Sequence, residues 1–143
     1  KRIFIHKPQS GVEDPDRYRR EFGLAVWQAD YDGIMPYAYQ SDYSFAWDDF
    51  DHNKYRDHAF TYPTSRGVID TLSWEALREG IDDRRYIATL ERKISEVKGL
   101  APDCMFQANE FLQRVKRQEG IPDYVEFRDA VVFHLKQLDS YCQ

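Results

Sequence analysis

Five residues in one short run carry the side chains best suited to hold a polyhydroxylated ligand. Tyr37, Tyr39 and Trp47 supply flat rings, and Asp48 and Asp49 supply carboxylates. Rings stack on the C–H faces of a sugar, and carboxylates accept paired hydrogen bonds from neighbouring hydroxyls. Glu13 adds a further acid that can accept from a hydroxyl, although an acid just before a helix cap is the plainer reading of that position. A solvated acidic loop pinned by a few rings is the competing account of residues 41–57.

That loop, SDYSFAWDDFDHNKYRD, has no hydrophobic period and carries Tyr43, Phe45, Trp47, Phe50 and Tyr55 among its acids. A loop this long inside a compact domain is either functional or disordered, and its aromatic content argues against disorder. Asp49, Asp51 and Asn53 alternate like the start of a calcium loop. The pattern then fails, because Lys54 stands where glycine is required and Phe60 where the closing glutamate belongs. No metal and no cofactor is expected. His6, His52, His58 and His134 share no spacing, and His134 falls on an apolar helical stripe, where a core histidine is the ordinary case.

Elements must position these residues. Arg2 to His6 reads as a short buried strand. Asp14 and Pro15 open a helix as cap and first residue, with Tyr18, Phe22, Ala25 and Val26 as its inner stripe. Asp32-Gly33 signals a turn, and Ile34 to Tyr39 reads as a strand buried on both faces, with Pro36 at a bulge or an end. Residues 1–39 are therefore strand, helix, strand. His58 to Pro63, a turn at Thr64 to Gly67, and Val68 to Leu72 read as a hairpin.

Ser73 then sits where an N-cap belongs, and Trp74, Leu77, Ile81, Ile87, Leu90, Ile94 and Val97 form one helical stripe. Gly80 interrupts it, which means a kink or a close approach of another backbone. Beyond Gly99, Pro102 opens a helix with Met105, Ala108, Leu112 and Val115 inward and Gly120 at its close. Asp123 caps a last helix that turns Phe127, Val131, His134, Leu135 and Leu138 inward. Two domains follow, 1–99 and a helical hairpin over 100–143.

The run from His58 to Glu91 also resembles a known segment. Tyr62, Pro63, Gly67, Trp74, Glu75, Ala76, Leu77, Arg78, Glu79, Gly80, Ile81, Asp83, Tyr86, Leu90 and Glu91 match the closing strand and last helix of a group of bacterial (β/α)8-barrel proteins. Their best-known relatives are glycoside hydrolase family 123. The resemblance covers roughly residues 1–98 and is specific at 62–91. It implies an α/β fold, the C-terminal portion of a (β/α)8 barrel, helix-rich with few strands, followed by the helical hairpin. It also implies that 39–41 opens on the active-site face, that Tyr37, Tyr39, Trp47, Asp48, Asp49 and Glu13 belong to a substrate rim, and that a carbohydrate and the remainder of the same barrel are the partners. Family 123 enzymes use an adjacent Asp-Glu pair on an earlier strand, with the substrate's acetamido group as nucleophile. Glu13-Asp14 has the reverse order and another place, so no catalytic residue carries over. A complete barrel takes about 200 residues or more, against 143 here. The expectation is the end of a barrel whose catalytic acids lie upstream. A non-catalytic binder on a degenerate barrel, and a helical interaction module over 102–142, are the alternatives.

Composition narrows the classes. Hydrophobic residues make up 42% of the chain, enough for a core, and a net charge of −5 gives no basic face for phosphate, so nucleic acid is not the expected partner. No run approaches the length of a membrane span. Cys104 and Cys142, near the two ends of the hairpin, are compatible with a disulfide or with two thiols, and no CxxC spacing offers a zinc site.

Overall fold

A computed structural model describes residues 2–7, 14–54, 56–97, 99, 101–119 and 123–140. Glu13, Gly120 and Cys142 lie outside these residues. Cys104 is a free, half-buried thiol. The chain divides into two compact units, Lys1–Ile81 and Asp82–Gln143.

The first unit begins with β1 (Phe4–Lys7), α1 (Pro15–Phe22), α2 (Leu24–Gln28) and β2 (Gly33–Pro36). Asp14 caps α1 as its sequence predicts, its side chain accepting from the Arg17 N–H at 3.0 Å. β1 and β2 are parallel, in the register Phe4 to Gly33 through Lys7 to Pro36. A parallel pair needs a crossover, and the two helices between the strands supply it. Strand, helix, strand over the first 39 residues therefore holds. Three details differ. Gly33 starts β2 instead of closing a turn, because Asp32 is drawn against β1: its amide donates to the Ile3 carbonyl at 2.8 Å and its carboxylate accepts from the Ile3 amide at 2.6 Å. β2 ends at Pro36, three residues short of Tyr39. Neither strand is buried on both faces; Phe4 is exposed and Met35 is 55% exposed.

Two small antiparallel ladders follow. β3 (Gln40–Ser41) pairs with β4 (His58–Ala59), closing the aromatic loop at its base. β5 (Thr61–Thr64) pairs with β6 (Gly67–Asp70), the expected hairpin. The predicted strand from 58 to 63 is split at Phe60, whose ring turns inward and is 1% exposed. That ring is the centre of the first unit's core. It meets Tyr18, Phe22 and Trp74 edge-on at centroid distances of 6.2, 6.4 and 5.8 Å, with Ala76 and Leu77 closing the cluster. Such edge-to-face pairs add about 0.5–1.5 kcal/mol each beyond the burial of area.

α3 (Leu72–Glu96) starts one residue before Ser73, and its cap is Thr71. The Thr71 hydroxyl accepts from the Trp74 N–H at 3.2 Å and donates to the Phe60 carbonyl at 2.9 Å, so one side chain both caps the helix and ties it to the core. Gly80 leaves α3 unbroken. It is a close approach: a Cβ there would lie 2.7 Å from the Arg19 carbonyl oxygen and 3.1 Å from the Gly23 nitrogen, and a Cβ at Gly23 would lie 2.8 Å from the Gly80 Cα. Two glycines let these backbones touch, and Gly23 is where α1 ends and α2 begins.

The second unit holds the later turns of α3 with α4 (Pro102–Lys116) and α5 (Tyr124–Asp139). Its buried apolar residues include Ile87, Leu90 and Ile94 from α3, Val97 just beyond it, Ala108, Leu112 and Val115 from α4, and Phe127, Val131 and Leu138 from α5. Met105, His134 and Leu135 are half-buried rather than interior. Asp123 caps α5, accepting from the Val125 and Glu126 amides at 2.8 and 2.9 Å. Asp83 is fully buried and accepts from Arg128 Nε at 2.7 Å, with the guanidinium 5.6 Å from the Tyr86 ring centre. Burial pushes the His134 imidazole below its ordinary range, and Phe111 and Phe133 are its ring neighbours.

Candidate functional site

The predicted rings dock along one stretch, His58 to Thr64. The Tyr37 ring lies 4.7 Å from that of His58. The Tyr39 carbonyl accepts from the Phe60 amide at 2.9 Å, and the Gln40 side chain donates to the Thr61 carbonyl at 3.0 Å. Trp47 stacks on Tyr62, 5.0 Å between centroids and 20° between planes, and its indole N–H donates to the Pro63 carbonyl at 2.9 Å. An indole gripped by its N–H on one side and a ring on the other presents its remaining surface in a fixed direction; Trp47 is 50% exposed. Tyr37 and Tyr39 are exposed as well, immediately beyond the C-terminal end of β2.

Tyr39 also lines a cleft of about 250 Å³ with Ile34, Pro36, Ala38, Phe60, Trp74 and Leu77. Its ring stands edge-on to Trp74 at 5.5 Å. The cleft is largely apolar, which suits the hydrophobic face of a ligand more than its hydroxyls.

The two predicted acids have other work. The Asp48 carboxylate accepts from the Phe50 amide at 3.1 Å, and Asp51 accepts from the Phe45 amide at 2.7 Å, so both hold the loop's shape. Asp49 accepts from the Tyr62 hydroxyl at 2.7 Å through Oδ2, while its Oδ1 is buried with no hydrogen-bond partner. Asp49 thus joins the Trp47–Tyr62 stack as its polar tie. Tyr43 stacks on His52 at 4.5 Å, and the Arg56 guanidinium sits 4.0 Å over the Phe50 ring. The loop is packed by its own side chains, as its composition implied.

Sequence reasoning passed over Tyr62, Trp74 and Asp57. The periodicity and the resemblance bring out Trp74, and the resemblance Tyr62, without giving either a place in the site. Asp57 is the least conspicuous and the most unusual. It is 3% exposed and neither carboxylate oxygen has a hydrogen-bond partner. Burial raises its carboxyl above the ordinary aspartate range, Asp51 adds to this, and Asp49 and Asp42 contribute less; the Tyr43 amide offsets a part. The other buried side-chain atoms left unpaired among the described residues are Asp49 Oδ1, His58 Nδ1 and Thr61 Oγ1, so all of them fall between 49 and 61. No group of three His, Cys, Asp or Glu side chains among the described residues is arranged to hold a metal ion. No described helix is long and apolar enough to cross a membrane. No protein-family model, curated protein or solved structure matches the chain.

Proposed function

We propose that residues 1–99 form the closing part of a glycoside hydrolase-like (β/α)8 domain and supply the rim of its carbohydrate pocket. The observation that carries this reading is the parallel β1–helix–β2 unit that delivers Tyr37 and Tyr39 just past the carboxyl end of a strand. In α/β sheets ligands gather at that end, and in (β/α)8 barrels the loops there build the pocket. A parallel pair alone is not a stable sheet, and parallel sheets are covered on both faces. The exposed Phe4 and Met35 fit a sheet that further strands and helices complete.

In this reading Trp47, held on Tyr62, is the stacking platform, with Tyr37 and Tyr39 beside it. Asp49 steadies the platform through Tyr62 and Asp48 shapes the loop, and the unpaired Asp49 Oδ1 is buried, so ring stacking carries this reading more than carboxylate bonding to hydroxyls. No residue of this chain is assigned to bond cleavage, which falls to acids upstream. The test is titration calorimetry of the full-length protein against a panel of neutral and N-acetylated oligosaccharides. Trp47→Ala and Tyr39→Ala are each expected to weaken a bound glycan about three- to tenfold, the loss of one ring contact. A glycan bound as tightly by Trp47→Ala as by the native protein removes the rim assignment. Binding without release of sugar from the same oligosaccharides replaces the hydrolase with a non-catalytic binder.

A further inference from the structure

The base of the aromatic loop contains a carboxylate that its surroundings do not support. Asp57 precedes β4, where the two-residue ladder with β3 closes the loop. Both of its oxygens are buried and unpaired. The titratable groups that act on it are Asp42, Asp49 and Asp51, all of its own sign. A buried, unpaired charge is costly and ordinarily takes up a proton instead. The groups that act on Asp57, the Tyr43 amide and the Asp42, Asp49 and Asp51 carboxylates, all belong to the loop, so a small outward movement of that loop would return water to it.

We propose that Asp57 is a proton-operated latch on residues 42–54. Uncharged, its side chain stays beneath the loop, and Trp47 remains on Tyr62 and Pro63. Charged, it faces three like charges that the nearby Tyr43 amide offsets only in part, and hydrating it requires the loop to lift. The lift breaks the Trp47 Nε1–H to Pro63 bond and the Tyr62 hydroxyl to Asp49 bond, which are the loop's ties to β5.

The direction follows from linkage. The folded state holds the Asp57 proton more tightly than the unfolded chain does. Its contribution is therefore fully present below the ordinary aspartate range and is lost as pH rises through the raised value. The loop closes toward acid and opens toward neutral pH. If the rim binds a glycan, the latch makes that binding stronger in acid; the latch itself requires no glycan.

The Trp47 indole N–H resonance reports the state of the loop, and the assignment comes from its absence in Trp47→Phe. In the native protein this resonance is expected to move and to lose its protection from solvent exchange as pH rises, with the same midpoint as the Asp57 carboxyl carbon. Asp57→Asn, which cannot ionise, is expected to keep the acid-state resonance at every pH. Asp51→Asn retains an oxygen for the Phe45 amide but removes the like charge that acts most strongly on Asp57, so the midpoint falls. The same pH response in native protein and Asp57→Asn overturns the latch, as does an unmoved midpoint in Asp51→Asn. Calcium chloride that restores the closed resonance at neutral pH in native protein but not in Asp57→Asn, with no response to acid, also overturns it and makes the occupant an ion.

Discussion

Two buried aspartates, one in each unit, meet the same problem in opposite ways. Asp83 has no exposed surface and is bonded to Arg128 at 2.7 Å. Asp57 is almost as covered, and the charged groups acting on it are all acids, offset only in part by the Tyr43 amide. The three-helix unit matches its interior charge and closes its core around it. The first unit leaves polar atoms unmatched at the foot of a ring-studded loop. A matched charge fixes one arrangement, and an unmatched one marks a place where the arrangement depends on conditions or on an added molecule.

The comparison can be broken most forcefully at Arg128. Arg128→Ala removes the charged partner of the buried Asp83 carboxylate and is expected to cost about 3–5 kcal/mol, measured by urea denaturation. A loss within the range of ordinary surface changes would mean that Asp83 is not held by that pair. The next largest effect belongs to the first unit. Gly80→Ala pushes a methyl against the Arg19 carbonyl and Gly23, backbone that has no other rotamer to adopt, and should cost about 1–3 kcal/mol in the same measurement. Asp57→Asn should run with the opposite sign to Arg128→Ala: at neutral pH it raises the melting temperature, because a charge without a partner is removed, and the gain shrinks as pH falls. A destabilised Asp57→Asn would erase the contrast between the two residues. The smallest effect concerns His134. Its imidazole titrates below the ordinary range when folded, so the unfolded chain takes up the proton first and the second unit weakens as pH falls below that range. His134→Gln should flatten that slope, which thermal melts across pH would read.

Much of the scaffold was legible because its signals are local. Asp14-Pro15 and Asp123 are caps whose chemistry lies within three residues, and both hold their helices as expected. The stripes of α3, α4 and α5 appear with the predicted period. Long-range relations were not legible. The cap of α3 moved from Ser73 to Thr71 because the threonine also bonds to Phe60, eleven residues back. Gly80 offered two explanations, and only Gly23 opposite it decides between them. The Asp83–Arg128 pair joins residues 45 apart in sequence. Phe60 splits a run that alternates like one strand because its ring is needed in the core. In the candidate site, the rings stand out by type, whereas the contacts of Asp48 and Asp49 are not legible, because a carboxylate in a loop satisfies whichever amides and hydroxyls the fold brings near it. Asp57 was invisible, since nothing in sequence separates an aspartate with a partner from one without.

The ladder that closes the aromatic loop is only two residues long on each side, Gln40 with Ala59 and Ser41 with His58. So short a fastening lets residues 42–54 open while Phe60 and its neighbours stay packed, because such openings need only their own few bonds to break. Backbone amides of the loop should then exchange with deuterium well before those of α3, and the surface it bears can be reshaped without disturbing the framework beneath.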